Sequence, residues 1–352
     1  LVGSEMCIRD RLTSVPTERA SDDTVAAVAQ QLRDADSSVL FLGGRALRAD
    51  ALHQAGRVAA ATGCRLVTET FFARQARGIG RVTTERLAYF GEMAVEQLGD
   101  LDTVVLVGAK APVSFFAYPD KPSVLWPATA SLATLVDVRI DALDALTRLA
   151  DLLDAPAQPV AASTQDTHPL NHGKIDATEL GKVVANRLPE HAIVCDEGAT
   201  NSLATFLLTA NAPAHDWLTL TGGAIGQGLP LAVGAAIACP DRPVIALEAD
   251  GSGMYTVQAL WTMVREQLDI TVLLLNNRSY AILNIELARV GVEAPGPIAL
   301  SLLDLSNPDL NWADIARGMG LQASTVETVE ALDSAFSEAV AHKGPSLIEV
   351  ML

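Results

Sequence analysis

Pro243-Val-Ile-Ala-Leu-Glu-Ala-Asp-Gly-Ser-Gly253 and Ile270-Thr-Val-Leu-Leu-Leu-Asn-Asn277 bracket a helical pattern running from Thr256 to Glu266. Each bracket is a short apolar run that closes on glycine or polar residues, as a strand buried on both faces does. With the helix between them they make a β-α-β unit. The helix, of about ten residues, runs back about 15 Å, and the second strand, of about six, returns about 20 Å. Asp250 and Asn277 therefore come to lie side by side at the carboxyl edge of neighbouring parallel strands, where open α/β sheets bind ligands. A carboxylate and an amide oxygen are hard donors that suit magnesium with phosphate oxygens and water in its other positions. Gly251 and Gly253 let backbone approach phosphates, and Ser252 offers a hydroxyl. Taken singly, Asp250 reads as a helix cap and Asn276-Asn277 as a turn; taken together with the glycines they point to a metal site.

The same alternation extends outward from this unit. Upstream lie a helical pattern at Thr24–Leu32, a strand at Ser38-Val-Leu-Phe-Leu-Gly-Gly44, a helix over Asp50–Thr62, and strands at Arg65–Thr68 and Thr103–Gly108 with a helical pattern near Ala94–Leu98. Gly43 and Gly44 read as a tight strand-to-helix turn. Downstream of the linker come a helix over Asp176–Leu188, a strand at Ala192–Cys195, a helix over Val329–Ala341 and a closing strand at Ser346–Val350. The fold class is α/β, with two doubly wound, mainly parallel-sheet domains. Their expected limits are 21–153 and 172–352, joined by a proline-rich polar linker at 154–171. Leu1 to Arg11 has no signal-peptide shape. It resembles translated sequencing-adapter DNA, so residues 1–20 are expected to be a non-native or disordered leader.

Of the 352 residues 49% are hydrophobic and 19% charged, enough apolar surface for a packed interior. The 25 basic against 42 acidic residues give a formal net charge of −17, which argues against nucleic acid and anionic membranes. Cys7, Cys64, Cys195 and Cys239 form no C-x-x-C pair and point to a reducing cytoplasm. The uncharged stretch Trp217–Pro240 carries too many glycines and prolines for a spanning helix and reads as a buried loop leading into a buried helix. His168 and His172 flank Pro169 in the linker and are not expected to form a metal pair.

Asp-Gly-Ser, a helix, and an apolar strand ending Leu-Leu-Leu-Asn-Asn resemble the thiamine diphosphate signature of acetolactate synthases, benzoylformate decarboxylases and related 2-oxo acid enzymes. Asp-Glu-Gly at 196–198, Thr-Gly-Gly-Ala-Ile-Gly-Gln-Gly-Leu-Pro at 221–230 and Gly-Pro-Ser-Leu-Ile-Glu-Val at 344–350 are similar to that family in order and spacing. The resemblance implies a central Rossmann-like domain followed by a diphosphate-binding domain. It implies that Asp250, Asn277 and the Ser279 carbonyl hold magnesium, and that Ala199, Thr200, Gly251, Ser252, Ser279 and Tyr280 lie along the diphosphate. It further implies that the Gly223 carbonyl meets the aminopyrimidine, that Ile225 wedges under the bent cofactor, and that Leu283 faces a 2-oxo acid.

In such an enzyme the cofactor is the electron sink for loss of carbon dioxide, before protonation or addition to a second carbonyl. The activating glutamate is expected in a pyrimidine-binding domain that precedes the central domain, so no catalytic residue is expected in this chain, which is expected to be inactive alone. A homodimer or homotetramer is implied. Ala249 and Ala281 replace glycines of the family pattern. Ala109–Phe116 and Leu283–Glu286 lack the runs typical of flavin-containing acetolactate synthases, which speaks against FAD, and no histidine lies at Phe115–Tyr118. The expected function is a thiamine diphosphate- and magnesium-dependent 2-oxo acid carboligase or decarboxylase of the acetolactate synthase-like group. The alternatives are a benzoylformate decarboxylase-type lyase, a non-catalytic cofactor-binding or regulatory subunit, and a nucleotide-dependent oxidoreductase.

Overall fold

The computed structural model describes residues 16–118, 120–161, 164–292 and 294–352. Cys7 and most of the expected leader lie outside them. Residues 18–20 belong to the folded body: the Glu18 N–H donates to the Arg139 carbonyl at 2.7 Å and Ala20 is buried. The leader reading therefore does not extend to residue 20.

Among the described residues twelve strands form two sheets. The first contains β1 (Ser38–Leu42), β2 (Arg65–Thr68), β4 (Glu85–Arg86), β5 (Thr103–Val107) and β6 (Ser131–Val136), ordered β4-β2-β1-β5-β6 and parallel throughout. The second contains β3 (Gln75–Arg77), β7 (Ile193–Glu197), β8 (His215–Thr219), β9 (Val244–Ala249), β10 (Ile270–Asn276), β11 (Gln322–Val326) and β12 (Ser346–Met351). Its order is β11-β12-β10-β9-β7-β8-β3, and only the β3–β8 pair is antiparallel. Both sheets are of the mainly parallel, doubly wound kind that the alternation of strands and helices predicts.

Local chemistry sets the helix limits. Ser21 caps Asp22–Asp34 by accepting the Thr24 N–H, two acids occupy the first turn, and Val25, Val28, Ala29 and Leu32 form one buried stripe. The next helix, Ala49–Thr62, stops at Gly63 in the left-handed region (φ 74°). At the end of β1 a Cβ on Gly43 would lie 2.8 Å from the Gly108 carbonyl oxygen, so only glycine permits the tight turn into this helix.

Three elements depart from the expected pattern. Residues 75–77 leave the first unit and add an edge strand to the second sheet, a three-residue pairing too short to carry a periodic signal. Trp217 begins no loop; it lies inside β8, whose polar residues His215 and Asp216 are buried and disguise the strand. The helix Gly228–Ala238, expected to be buried, buries only Gly228, Leu229, Ala232 and Ala236, while Ile237 is 59% exposed. Apolarity all round a helix leaves its orientation unspecified.

One hydrophobic cluster runs from the helices of the first unit to Trp217 and Phe336 of the second. Phe72, wholly buried, joins the two through its ring contact with Phe206, 6.1 Å between centroids. Burying such a side chain contributes about 2 kcal/mol. Among the described residues no helix is long and apolar enough to cross a membrane.

Candidate cofactor site

In the second sheet the chain goes from β7 outward to β8, then crosses back to β9 on the other side of β7. That reversal makes the carboxyl edge between β7 and β9 the topological switch point of the sheet. The four loops at this edge, 198–202, 220–227, 250–254 and 277–280, carry all the predicted site residues except Leu283, which lies in the helix just after Tyr280.

The pairing of Ala249 with Leu275 brings Asp250 level with the Asn276-Asn277 pair. Asp250 is only 2% exposed. Its Oδ1 accepts the Gly251 N–H at 2.9 Å and its Oδ2 the Arg278 N–H at 2.7 Å. Burial raises its pKa, and these amides oppose that rise by favouring the charged form. The two asparagines divide by strand parity. Asn276 is buried and donates to Glu349 at 2.7 Å, whereas Asn277 is half-exposed and its Oδ1 accepts the Ser279 N–H at 3.0 Å. The Ser279 hydroxyl donates to the Leu303 carbonyl, so any role toward a metal falls to its backbone.

Tyr280 lies against Gly251, where a Cβ would sit 2.5 Å from its ring. Thr200 is half-buried beside the exposed Ala199. Ala199 (φ 51°) and Arg278 (φ 56°) are non-glycine residues in the left-handed region, and both fall in loops at this edge. Such conformations persist where surrounding structure imposes them and gather at functional sites. Ile225 is 56% exposed and Leu283 46% exposed. Ser252 differs from expectation. Its hydroxyl turns inward and donates to Glu248 at 2.7 Å instead of facing the edge, because the first turn after β9 carries it back over that strand.

Two groups of residues near the site were given no role by the sequence, although Asp196 and Glu197 belong to the Asp-Glu-Gly motif. Asp196, Glu197 and Glu248 are buried carboxylates beneath the loops. Asp196 accepts from the Gly198 N–H and the Trp217 indole N–H. Burial, reinforced by the charge of Glu197, pushes the Glu248 carboxyl well above the usual carboxylate range. The second group comes from the first unit. The ring of Phe115 abuts Gly223, 2.5 Å from where a Cβ would be, and packs on Phe71, Tyr89 and Phe116. Beside it the Tyr118 hydroxyl donates to Glu286 at 2.5 Å and Arg289 pairs with Glu92, tying the helix that bears Leu283 to the first unit.

The donor set is hard oxygen: one carboxylate, one amide oxygen and backbone carbonyls. Among the described residues no cluster of three or more His, Cys, Asp or Glu side chains could hold a metal, so a cation here would rest on Asp250 with amide and backbone oxygens. That composition fits magnesium bound to a diphosphate better than a transition metal.

Residues 196–350 match the family described as thiamine pyrophosphate enzyme, C-terminal TPP binding domain. Residues 196–350 carry the TPP-binding domain of that family. Over 341 residues it is 47% identical to a Mycobacterium tuberculosis protein named "Putative acetolactate synthase large subunit IlvX", covering 96% of this chain and 66% of that protein. It is 33% identical over 163 residues to benzoylformate decarboxylase from Pseudomonas aeruginosa, covering 46% of this chain and 29% of that one. In fold it is similar to the thiamine diphosphate-dependent 4-hydroxybenzoylformate decarboxylase of Rhodococcus jostii, with TM-score 0.78 and 24% identity over 97% of this chain and 66% of that one. The chain thus spans about two thirds of the length of the first of these relatives and less of the second. In the TPP-binding domain the family match begins at Asp196, the first of the buried carboxylates, and runs through every predicted site residue.

Proposed function

We propose that the chain binds thiamine diphosphate through magnesium held by Asp250, the Asn277 side chain and the Ser279 carbonyl, and that the whole protein is a 2-oxo acid carboligase or decarboxylase. The observation that carries this reading is the convergence, at one switch point, of buried Asp250, the Asn277–Tyr280 loop and the exposed 221–228 loop. Bound thiamine diphosphate supplies the nucleophilic carbon and the electron sink for cleavage next to a 2-oxo acid's carbonyl.

The residues of the chain do the rest. Asp250 supplies a side-chain carboxylate that a magnesium diphosphate would meet at this edge. Gly251, pressed by Tyr280, keeps the backbone close to the phosphates. The Gly223 carbonyl would accept from the aminopyrimidine, and the Ile225 side chain would pack against the cofactor. Leu283 and the aromatic group around Phe115 exclude water from the substrate side. Glu69, whose Oε1 accepts the Lys110 N–H at 3.3 Å, places a carboxylate at the edge of the first sheet beside Gly43, which supports a protein that works without a flavin's diphosphate there. The apolar exposed face around Ile237 supports assembly as a homodimer or homotetramer.

Calorimetric titration of the chain with thiamine diphosphate, with and without magnesium, tests the reading. Binding that requires magnesium and disappears in Asp250→Ala supports it; equal binding by that variant, or none by the parent chain, rejects it.

A further inference from the structure

Apart from the contacts of Gly223 with the Phe115 ring and of Gly226 with Tyr255, the loop 221–228 leaves much of its length to solvent. Gly222, Ala224 and Ile225 are exposed, and Gly222, Gly223 and Gly226 take φ values of 67°, 66° and 88°. A segment this rich in glycine has much backbone entropy to lose on ordering. What fastens it is polar. Glu197, the last residue of β7 and 3% exposed, accepts the Gly226 N–H on Oε1 at 2.6 Å and the Gly228 N–H on Oε2. The Thr256 hydroxyl donates to the Gly226 carbonyl at 2.9 Å.

Hydrogen bonds to an ionised carboxylate are about twice as strong as neutral ones. The Gly228 N–H also stands at the start of the helix Gly228–Ala238, where the helix dipole favours negative charge. Gly228 can approach this closely only because it lacks a side chain: a Cβ there would lie 2.7 Å from Glu197 Cβ.

We infer that Glu197 is the positioning residue of the cofactor loop. Its carboxylate clamps the loop at two amides on the C-terminal side of Ile225, and so sets where the Gly223 carbonyl and the Ile225 side chain stand. The inference rests on the proposed reading, in which those two groups meet the aminopyrimidine. Glu197 itself stays beneath the loop and acts through it.

The test compares the parent chain with Glu197→Gln and Glu197→Asp in three measurements. These are calorimetric affinity for thiamine diphosphate with magnesium, hydrogen exchange of the 221–228 segment, and the melting temperature without cofactor. Gln keeps an acceptor for one amide but turns an NH2 group toward the other; Asp keeps the charge but withdraws it by one methylene.

The expected result is at least tenfold weaker binding in Glu197→Gln and faster exchange confined to 221–228, with the melting temperature within a few degrees of the parent. Glu197→Asp is expected to fall between the two. Parent-like affinity and exchange in both variants overturns the inference while leaving the proposed function standing. Loss of affinity that only tracks a general loss of stability also overturns it. A parent chain that fails to bind the cofactor rejects the proposed function, and the role of Glu197 with it.

Discussion

Glu197 and Glu248 are direct register partners in adjacent parallel strands, two buried carboxylates at the switch point of the second sheet. Glu197 is satisfied by two backbone amides, whereas Glu248 accepts from Ser252 on one oxygen and has no partner on the other among the described residues. Burial and the neighbouring charge of Glu197 push the Glu248 carboxyl well above the usual carboxylate range, so a second charge there is disfavoured. Glu248→Gln keeps the acceptor for Ser252 and presents a donor where the unpartnered oxygen stands. It is expected to be at least as stable as the parent chain, with a gain of about 1 kcal/mol in urea denaturation. A clear loss of stability would show that the Glu248 carboxyl has a partner outside these contacts.

The adjacent asparagines should separate stability from binding. Asn276→Ala leaves buried Glu349 without its 2.7 Å donor, and Glu349 also caps the helix that starts at Trp312. A cost of about 2–3 kcal/mol is expected in denaturation. Asn277→Ala removes only an exposed-side oxygen and is expected to change stability by less than about 1 kcal/mol. Its magnesium-dependent affinity for thiamine diphosphate should fall at least tenfold by calorimetry.

His215 should give the chain an acid-sensitive stability. It lies in β8, and burial, with the charge of Arg77 beside it, pulls its pKa down to about 4. Its Nδ1–H donates to the Pro213 carbonyl at 2.8 Å and Nε2 has no partner among the described residues. The folded state keeps the ring neutral while the unfolded state takes a proton below about 6.5. Stability is therefore full above that value and is lost as pH falls toward 4. Between pH 7 and pH 5 this group should remove about 2 kcal/mol, and His215→Gln should flatten that part of the profile.

Arg77 pairs with His215 across the β3–β8 junction. Its guanidinium stacks 3.5 Å above Phe206 and donates to the Phe206 carbonyl at 2.6 Å, yet Nη1 has no partner among the described residues. Burial draws its pKa down to about 9. A buried charge so poorly compensated adds little to net stability. Arg77→Met, which fills the space without the charge, should lie within about 1 kcal/mol of the parent, whereas Arg77→Ala should lose about 3 kcal/mol by opening a cavity. Paired denaturation curves of the two variants decide this.

Much of the molecule follows from residues close together in the chain. The β-α-β unit from Pro243 to Asn277 is determined by its apolar runs and their lengths, and those lengths alone bring Asp250 level with the asparagine pair. The observed pairing of Ala249 with Leu275 realises that relation. The helices Ala177–Arg187 and Val329–Ala341 and the strand Arg65–Thr68 likewise need only local periodicity and caps.

Tertiary structure decided what depends on partners far along the chain. Whether Ser252 faces a ligand or Glu248, which asparagine turns inward toward Glu349, and which strand receives residues 75–77 are contests between distant groups. Phe115 meets Gly223 and Glu197 grips Gly226 and Gly228 for the same reason. Neither contact leaves a spacing to read, because spacing records only the geometry of a continuous backbone. The direction of a buried polar side chain is set instead by whichever partner, anywhere in the chain, satisfies it once water is gone.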